Sequence, residues 1–199
     1  MKNAFPLNKL AAAVMAGAAA ISAPTYAVNL SDDGLGDVAI VPYYTVRNGI
    51  DTLLSVVNTS DQYVVAFKIR FREGDNSRDA RDFNVFLSPS DVWTAAVTMS
   101  EDGETPVVQT LDTSCTAPAL MESAATLEGM KGVQFTSIAY DGTPDVLFPW
   151  DSGAKSIERA QEGHVEIIEM GVSVPDCGVS GDVTDDNIAC WAMHPNTEC

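Results

Sequence analysis

The sequence predicts a mainly β protein: an antiparallel β-sandwich with one short helix and a disulfide-stapled C-terminal loop region. Three observations predict it. Apolar residues alternate with polar ones over short runs, as in "YVVAFKIRFRE", residues 63 to 73. Turn signals separate these runs at close spacing between Gly36 and Leu111. All four cysteines, Cys115, Cys177, Cys190 and Cys199, lie in the second half of the chain.

The first 27 residues stand apart from that pattern. Lys2 and Lys9 precede an Ala-rich apolar run, Leu10 to Ala23, that ends at Pro24. Thr25-Tyr26-Ala27 supplies small residues at the −3 and −1 positions of a cleavage site. This is the layout of a secretory signal peptide, with the mature chain starting at Val28. The run is too short to span a bilayer comfortably, so the mature protein, residues 28 to 199, is expected to be one exported domain without a membrane span. The chain ends on Cys199, and the mature part is read as the N-terminal part of a longer precursor.

The chain carries a formal net charge of −17, and loss of the two leader lysines takes it to −19. Nucleic-acid binding rests on Lys and Arg neutralising phosphates, so that function is excluded. Anionic membrane surfaces are equally poor partners. An acidic surface favours solubility and attracts divalent cations.

The elements follow in order. "GDVAIVPYYTV" is β-rich, but Pro42 restricts it to an edge, a bulge or a bend. "RNG", Arg47 to Gly49, is a turn. "DTLLSVVN" is nearly continuous apolar, as a strand buried on both faces would be. "TSDQ" is short enough to join it to the next strand as a hairpin. In that strand Tyr63, Val65, Phe67, Ile69 and Phe71 take one face and Lys68, Arg70 and Arg72 the other. The basic row is expected to pair with Asp or Glu on neighbouring strands rather than bind a ligand. "FNVFLS" and "DVWTAAVT", turned at Pro89-Ser90, read as a second hairpin, with Phe83, Val85 and Leu87 on one face. Phe67 and Trp93 are expected in the core. "EDGETP" is a turn and "VVQTL" a short strand.

Beyond Leu111 the pattern changes. Leu120, Ala124, Leu127 and Met130 are spaced for one face of a helix within Pro118 to Gly132. "VQFTSIAY" alternates again, with Val133, Phe135, Ser137 and Ala139 on one side. Asp141 to Ser156 is a loop, and "HVEIIEMGVSV", His164 to Val174, is the last strand.

Motifs for chemistry are sparse. There is no G-x-S-x-G and no H-E-x-x-H, and the two histidines, His164 and His194, have no nucleophile beside them. Glu166 and Glu169 are three apart in a strand and so do not form a catalytic pair. No catalytic residue and no resident cofactor are assigned. "SDDGLGD" and "GDVTDDN" offer Asp32, Asp33, Asp37, Asp182, Asp185 and Asp186 as calcium ligands, without the spacing of an EF-hand. "CWAMH", Cys190 to His194, places thiol, thioether and imidazole as a copper site would. Trp150 and Trp191 in loops, with Tyr43 and Tyr44, are candidates for a sugar-binding face. In an oxidising compartment four cysteines allow three connectivities. Cys115 with Cys177 and Cys190 with Cys199 is the preferred one, because the intervening strands return the chain to one end of the sheet.

The segment from "VPYYTVRNGIDTLLSVVNTSDQ" through "LSPSDVWTAAV", with the later "EGHVEIIEMG", resembles exported proteins of Gram-negative bacteria that carry no assigned activity. The "SVVNTS…VVAFKIRFRE…LSPSDVWTAAV" layout is also similar to immunoglobulin-like accessory modules of surface proteins. The resemblance implies a location in the periplasm, at the cell surface or outside the cell. With no catalytic set in view, the expected function is a non-enzymatic structural or interaction protein with a protein or cell-surface partner, self-assembly included. A carbohydrate- or calcium-binding module is the second reading, and a secreted hydrolase the third.

Overall fold

The computed structural model describes residue 31, residues 35–143 and residues 151–173. Two units divide at Gly36. In the first, the Leu35 amide donates to Ser31 Oγ at 3.1 Å. The second, from Asp37 onward, carries the sheets described below.

Among the described residues nine strands form two antiparallel sheets. They are β1 (Val38–Thr45), β2 (Thr52–Val57), β3 (Val64–Glu73), β4 (Asp79–Leu87), β5 (Val92–Met99), β6 (Pro106–Thr110), β7 (Cys115–Ala117), β8 (Lys131–Gln134) and β9 (Glu162–Ser173). The first sheet runs β1-β9-β3-β4-β7 and the second β2-β5-β6-β8. The fold is thus mainly β and sandwich-like, because the inward rows of both sheets meet in one core. Phe67 of β3 and Phe83 of β4 meet Trp93 of β5 edge-on, with ring centroids 6.3 and 5.9 Å apart. Phe67 and Trp93 are both buried, as their alternation with polar neighbours requires. Phe83, Val85 and Leu87 share the buried face of β4.

The strand phase holds in β3 from Phe67 onward. Phe67 faces Val85, and Ile69 faces Phe83, with Lys68 and Arg70 on the other side. Before Phe67 the predicted phase is reversed by a register shift between Ala66 and Phe67: Val64 is buried, Val65 is half-buried, and Tyr63 precedes the strand and is exposed. Pro42 sits where a proline can, in an edge strand, with the register shift of β1 falling between Val41 and Tyr44. At the turn after β1, Asn48 and Gly49 take positive φ, 59° and 73°, which Asn and Gly tolerate best.

Three expectations are corrected. Neither β2–β3 nor β4–β5 is a hairpin: each connection crosses from one sheet to the other, and the hairpins are β3–β4 and β5–β6. The buried Asn58 explains the crossings. Its amide nitrogen donates to the carbonyls of Tyr63, Leu87 and Ser88 at 2.8, 3.2 and 2.8 Å. Its Oδ1 accepts from the Ser60 amide. One side chain therefore ties both crossings together. Secondly, β2 is not buried on both faces. It is the edge of its sheet, with Leu53 and Val57 exposed.

Thirdly, residues 118 to 132 form no helix. Helix among the described residues is limited to two short 3₁₀ segments, Arg47–Gly49 and Ile157–Gln161. Of the four residues spaced for a helical face only Leu120 is buried, and Leu127 is 56% exposed. The backbone is satisfied elsewhere. The Leu127 amide donates to Gln109 Oε1 on β6 and the Gly132 amide to the Met121 carbonyl. An isolated helix of this length is marginal without a packed face; here the segment lies over β6, whose five residues are all buried. Likewise β8 stops at Gln134, and the chain leaves the sheet to meet β4, where the Thr136 amide donates to the Ala80 carbonyl.

Candidate functional site: a bare apolar edge opposite a closed polar face

The outer face of the first sheet carries the basic row. Lys68 pairs with Asp82, Arg70 with Asp79 and Glu166, and Arg72 with Asp79 and Glu166 at 3.7 and 3.1 Å. Each acid stands on a neighbouring strand, β4 or β9, as cross-strand pairing requires. Glu166 also lies 3.9 Å from His164 Nε2. The row is occupied by intramolecular partners and presents no free cationic stripe.

The inward row of β3 does not end at Phe71. The period of two carries Glu73 to the same side, and it is fully buried. Arg159, on the 3₁₀ segment before β9, meets it with Nη2 to Oε1 at 2.7 Å and Nε to Oε2 at 2.9 Å. The remaining capacity of Glu73 is taken by the amides of Asp75, Asn76 and Arg78. Arg159 also donates to both oxygens of Asp151 and to the Ala154 carbonyl. Its guanidinium lies 4.2 Å from the centre of the Tyr140 ring. Arg78 reaches the Ala139 carbonyl through Nε and Nη2. Burial pushes the Glu73 carboxyl upward, but Arg159 and the three backbone amides outweigh it and hold it below its ordinary value. Arg159 holds Asp151 down in the same way. Tyr140 is pushed up to about 12, chiefly by burial. The cluster is a clamp joining the β3–β4 turn, the loop around Tyr140 and the approach to β9.

The second sheet differs. The outward row of β2 is Leu53, Ser55 and Val57, and across from it on β5 stand Ala96, Thr94 and Val92. All six are uncharged, and Leu53 is 79% exposed. The backbone of β2 on its outer side is unpaired among the described residues, because no strand follows it in the sheet. Its alternation fixes which groups those are. The Asn58 amide donates to the Asp91 carbonyl, in line with the β2–β5 register. The Thr94 amide and carbonyl turn the other way, to Asp112 Oδ2 and Thr110 Oγ1. In an antiparallel pair the opposite residues alternate between bonded and unbonded. Leu53, Ser55 and Val57 therefore aim their N–H and C=O away from β5, where they meet no strand among the described residues.

Of the calcium candidates only Asp37 is described. It is exposed, and its backbone carbonyl accepts from the Glu169 amide at 2.7 Å. Asp32, Asp33, Asp182, Asp185 and Asp186 lie outside the described residues, as do Cys177, Cys190, Cys199, Met193, His194, Trp150 and Trp191. Cys115 is buried on β7, opposite Phe86. Among the described residues no group of three His, Cys, Asp or Glu could hold a metal ion. Tyr43 and Tyr44 do not form one face: the Tyr43 hydroxyl donates to Glu162 on the surface, and the buried Tyr44 donates to the Ala160 carbonyl. Among the described residues no helix is long and apolar enough to cross a membrane.

Fold and site together define a mainly β protein of two antiparallel sheets, one with a saturated polar face and one with a bare apolar edge. Compared with protein-family models, with curated proteins and with solved structures, the chain matches none.

Proposed function

We propose that this chain is an exported, non-enzymatic structural or interaction protein of the bacterial cell surface or periplasm, built on an immunoglobulin-like sandwich. The observation that carries the reading is the contrast between its polar and apolar surfaces. The charged groups of the first sheet are paired with one another, whereas β2 ends the second sheet with an uncharged row and open backbone groups. An unprotected edge is a template for another strand. A chain whose exposed potential lies in strand pairing is suited to assembly rather than to turnover. The leader pattern of residues 1 to 27 supplies the location.

Cell fractionation with N-terminal sequencing tests the location. The protein is expected in the envelope or the medium, beginning at Val28. Recovery of chains beginning at Met1 in the cytoplasm would overturn export.

A further inference from the structure

We infer that the β2 edge pairs with the β2 edge of a second copy of this chain, antiparallel about a two-fold axis at Ser55. The inference rests on the reading of that edge as the contact surface and names its occupant.

Leu53 and Val57 lie two residues to either side of Ser55. A copy running in reverse, centred on Ser55, therefore lays Leu53 against Val57 of the other copy on the same outward face. The open N–H and C=O groups belong to those same residues, so the matched side chains coincide with bonded backbone pairs. Each bonded pair exchanges two hydrogen bonds, about six in all over the three pairs.

Charge placement agrees. The chain is strongly acidic, and a copy is repelled at most surfaces. Thr52–Val57 contains no ionisable side chain, nor do the β5 residues beside its outward row. In the Ser55-centred register Asp51 falls opposite Thr59 of the other copy, so no like charges face each other. The repulsion that remains is long-range and is screened by salt. Of the other three edges, β1 is blunted by Pro42 and by its register shift, β7 is only three residues long, and β8 is bridged at Gly132 by Met121. The β2–β5 ladder has no such interruption. A six-residue edge closes less than the ~1,200 Å² of a typical stable interface, so the dimer exchanges with monomer.

Cysteine cross-linking of the full chain reads the register. Backbone-bonded partners have Cα atoms ~5.5 Å apart, within disulfide reach. Ser55→Cys is expected to give a cross-linked dimer under mild oxidation, above the wild-type background. Leu53→Cys alone is not, because its symmetry mate lies four residues along the strand, ~13 Å away. A mixture of Leu53→Cys and Val57→Cys chains is expected to cross-link. Sedimentation of the wild type is expected to show more dimer as salt rises. No Ser55→Cys dimer, or equal cross-linking by Leu53→Cys alone, overturns the pairing. So does capture of a different polypeptide at Cys-substituted position 55 in place of the dimer, an outcome that leaves the edge a contact surface. Failure of export would be seen by fractionation and would leave the cross-linking result standing.

Discussion

Glu73 and Arg159, 86 residues apart in sequence, meet with Oε1 and Nη2 at 2.7 Å in a site that excludes solvent from both side chains. Two ions out of water are stable only when their hydrogen-bonding capacity is filled, and here five backbone and side-chain donors serve the carboxylate. Removing one partner strands the other. Arg159→Ala is expected to cost ~3–5 kcal/mol in denaturant unfolding. A loss under ~1 kcal/mol would show that the clamp contributes no more than a surface pair.

The same carboxylate sets an acid limit. Glu73 titrates below its ordinary 4.5 in the folded protein. A depressed folded pKa contributes stability above the unfolded value, and that stability is lost as pH falls through the folded one. Unfolding free energy is therefore expected to decline from about pH 4.5 downward, with no change from Glu73 near neutrality. Glu73→Gln is expected to be less stable at pH 7 and flatter below pH 4.5. A wild-type profile as flat as that of the variant would contradict this.

The outer row of the first sheet predicts the opposite scale. Lys68→Ala and Arg70→Ala remove partly exposed ion pairs and are expected to cost under ~1 kcal/mol each. Phe67→Ala, one position inward, empties a site packed against Trp93 and is expected to cost ~3–5 kcal/mol. Thermal or denaturant melts of the three variants check the strand phase. Comparable losses in all three would show that the two faces of β3 are not distinguished in this way.

Asn58 is expected to matter more than its place at the end of the apolar run "DTLLSVVN" suggests. Asn58→Ala leaves the carbonyls of Tyr63, Leu87 and Ser88 without this donor at the junction of two crossings. The Ser88 carbonyl keeps the Asp91 amide, so a total cost of ~1–3 kcal/mol follows. Hydrogen exchange is expected to rise in both crossings together. A rise in one alone would separate them.

What the residues disclosed was local. Period-two alternation placed Phe67, Phe83, Val85 and Trp93 in the core, Pro42 at an edge, and the basic row opposite acids. Pairing between strands was less legible, because a four-residue connection can close a hairpin or cross between sheets. The choice depends on Asn58 meeting carbonyls 29 and 30 residues away. The same limit hid the Glu73–Arg159 clamp: the inward phase of β3 pointed to Glu73, but nothing near "SIERAQEG" marked Arg159 as its partner. Over Pro118 to Gly132 the backbone bonds instead to Gln109 of β6, to Thr116 of β7 and to its own turns, which periodicity does not disclose. The bare β2 edge was masked by its own composition, since an apolar run reads alike whether both faces are covered or one is open.

The proposed contact with partners runs through the β2 edge and not through the charged face of the first sheet. Sedimentation of purified Leu53→Lys at raised salt, set against Lys68→Ala at matched folded stability, separates the two faces. Leu53→Lys is expected to fold but stay monomeric, while Lys68→Ala dimerises as the wild type does. Wild-type dimerisation of Leu53→Lys, with loss of the dimer in Lys68→Ala, would contradict the pairing.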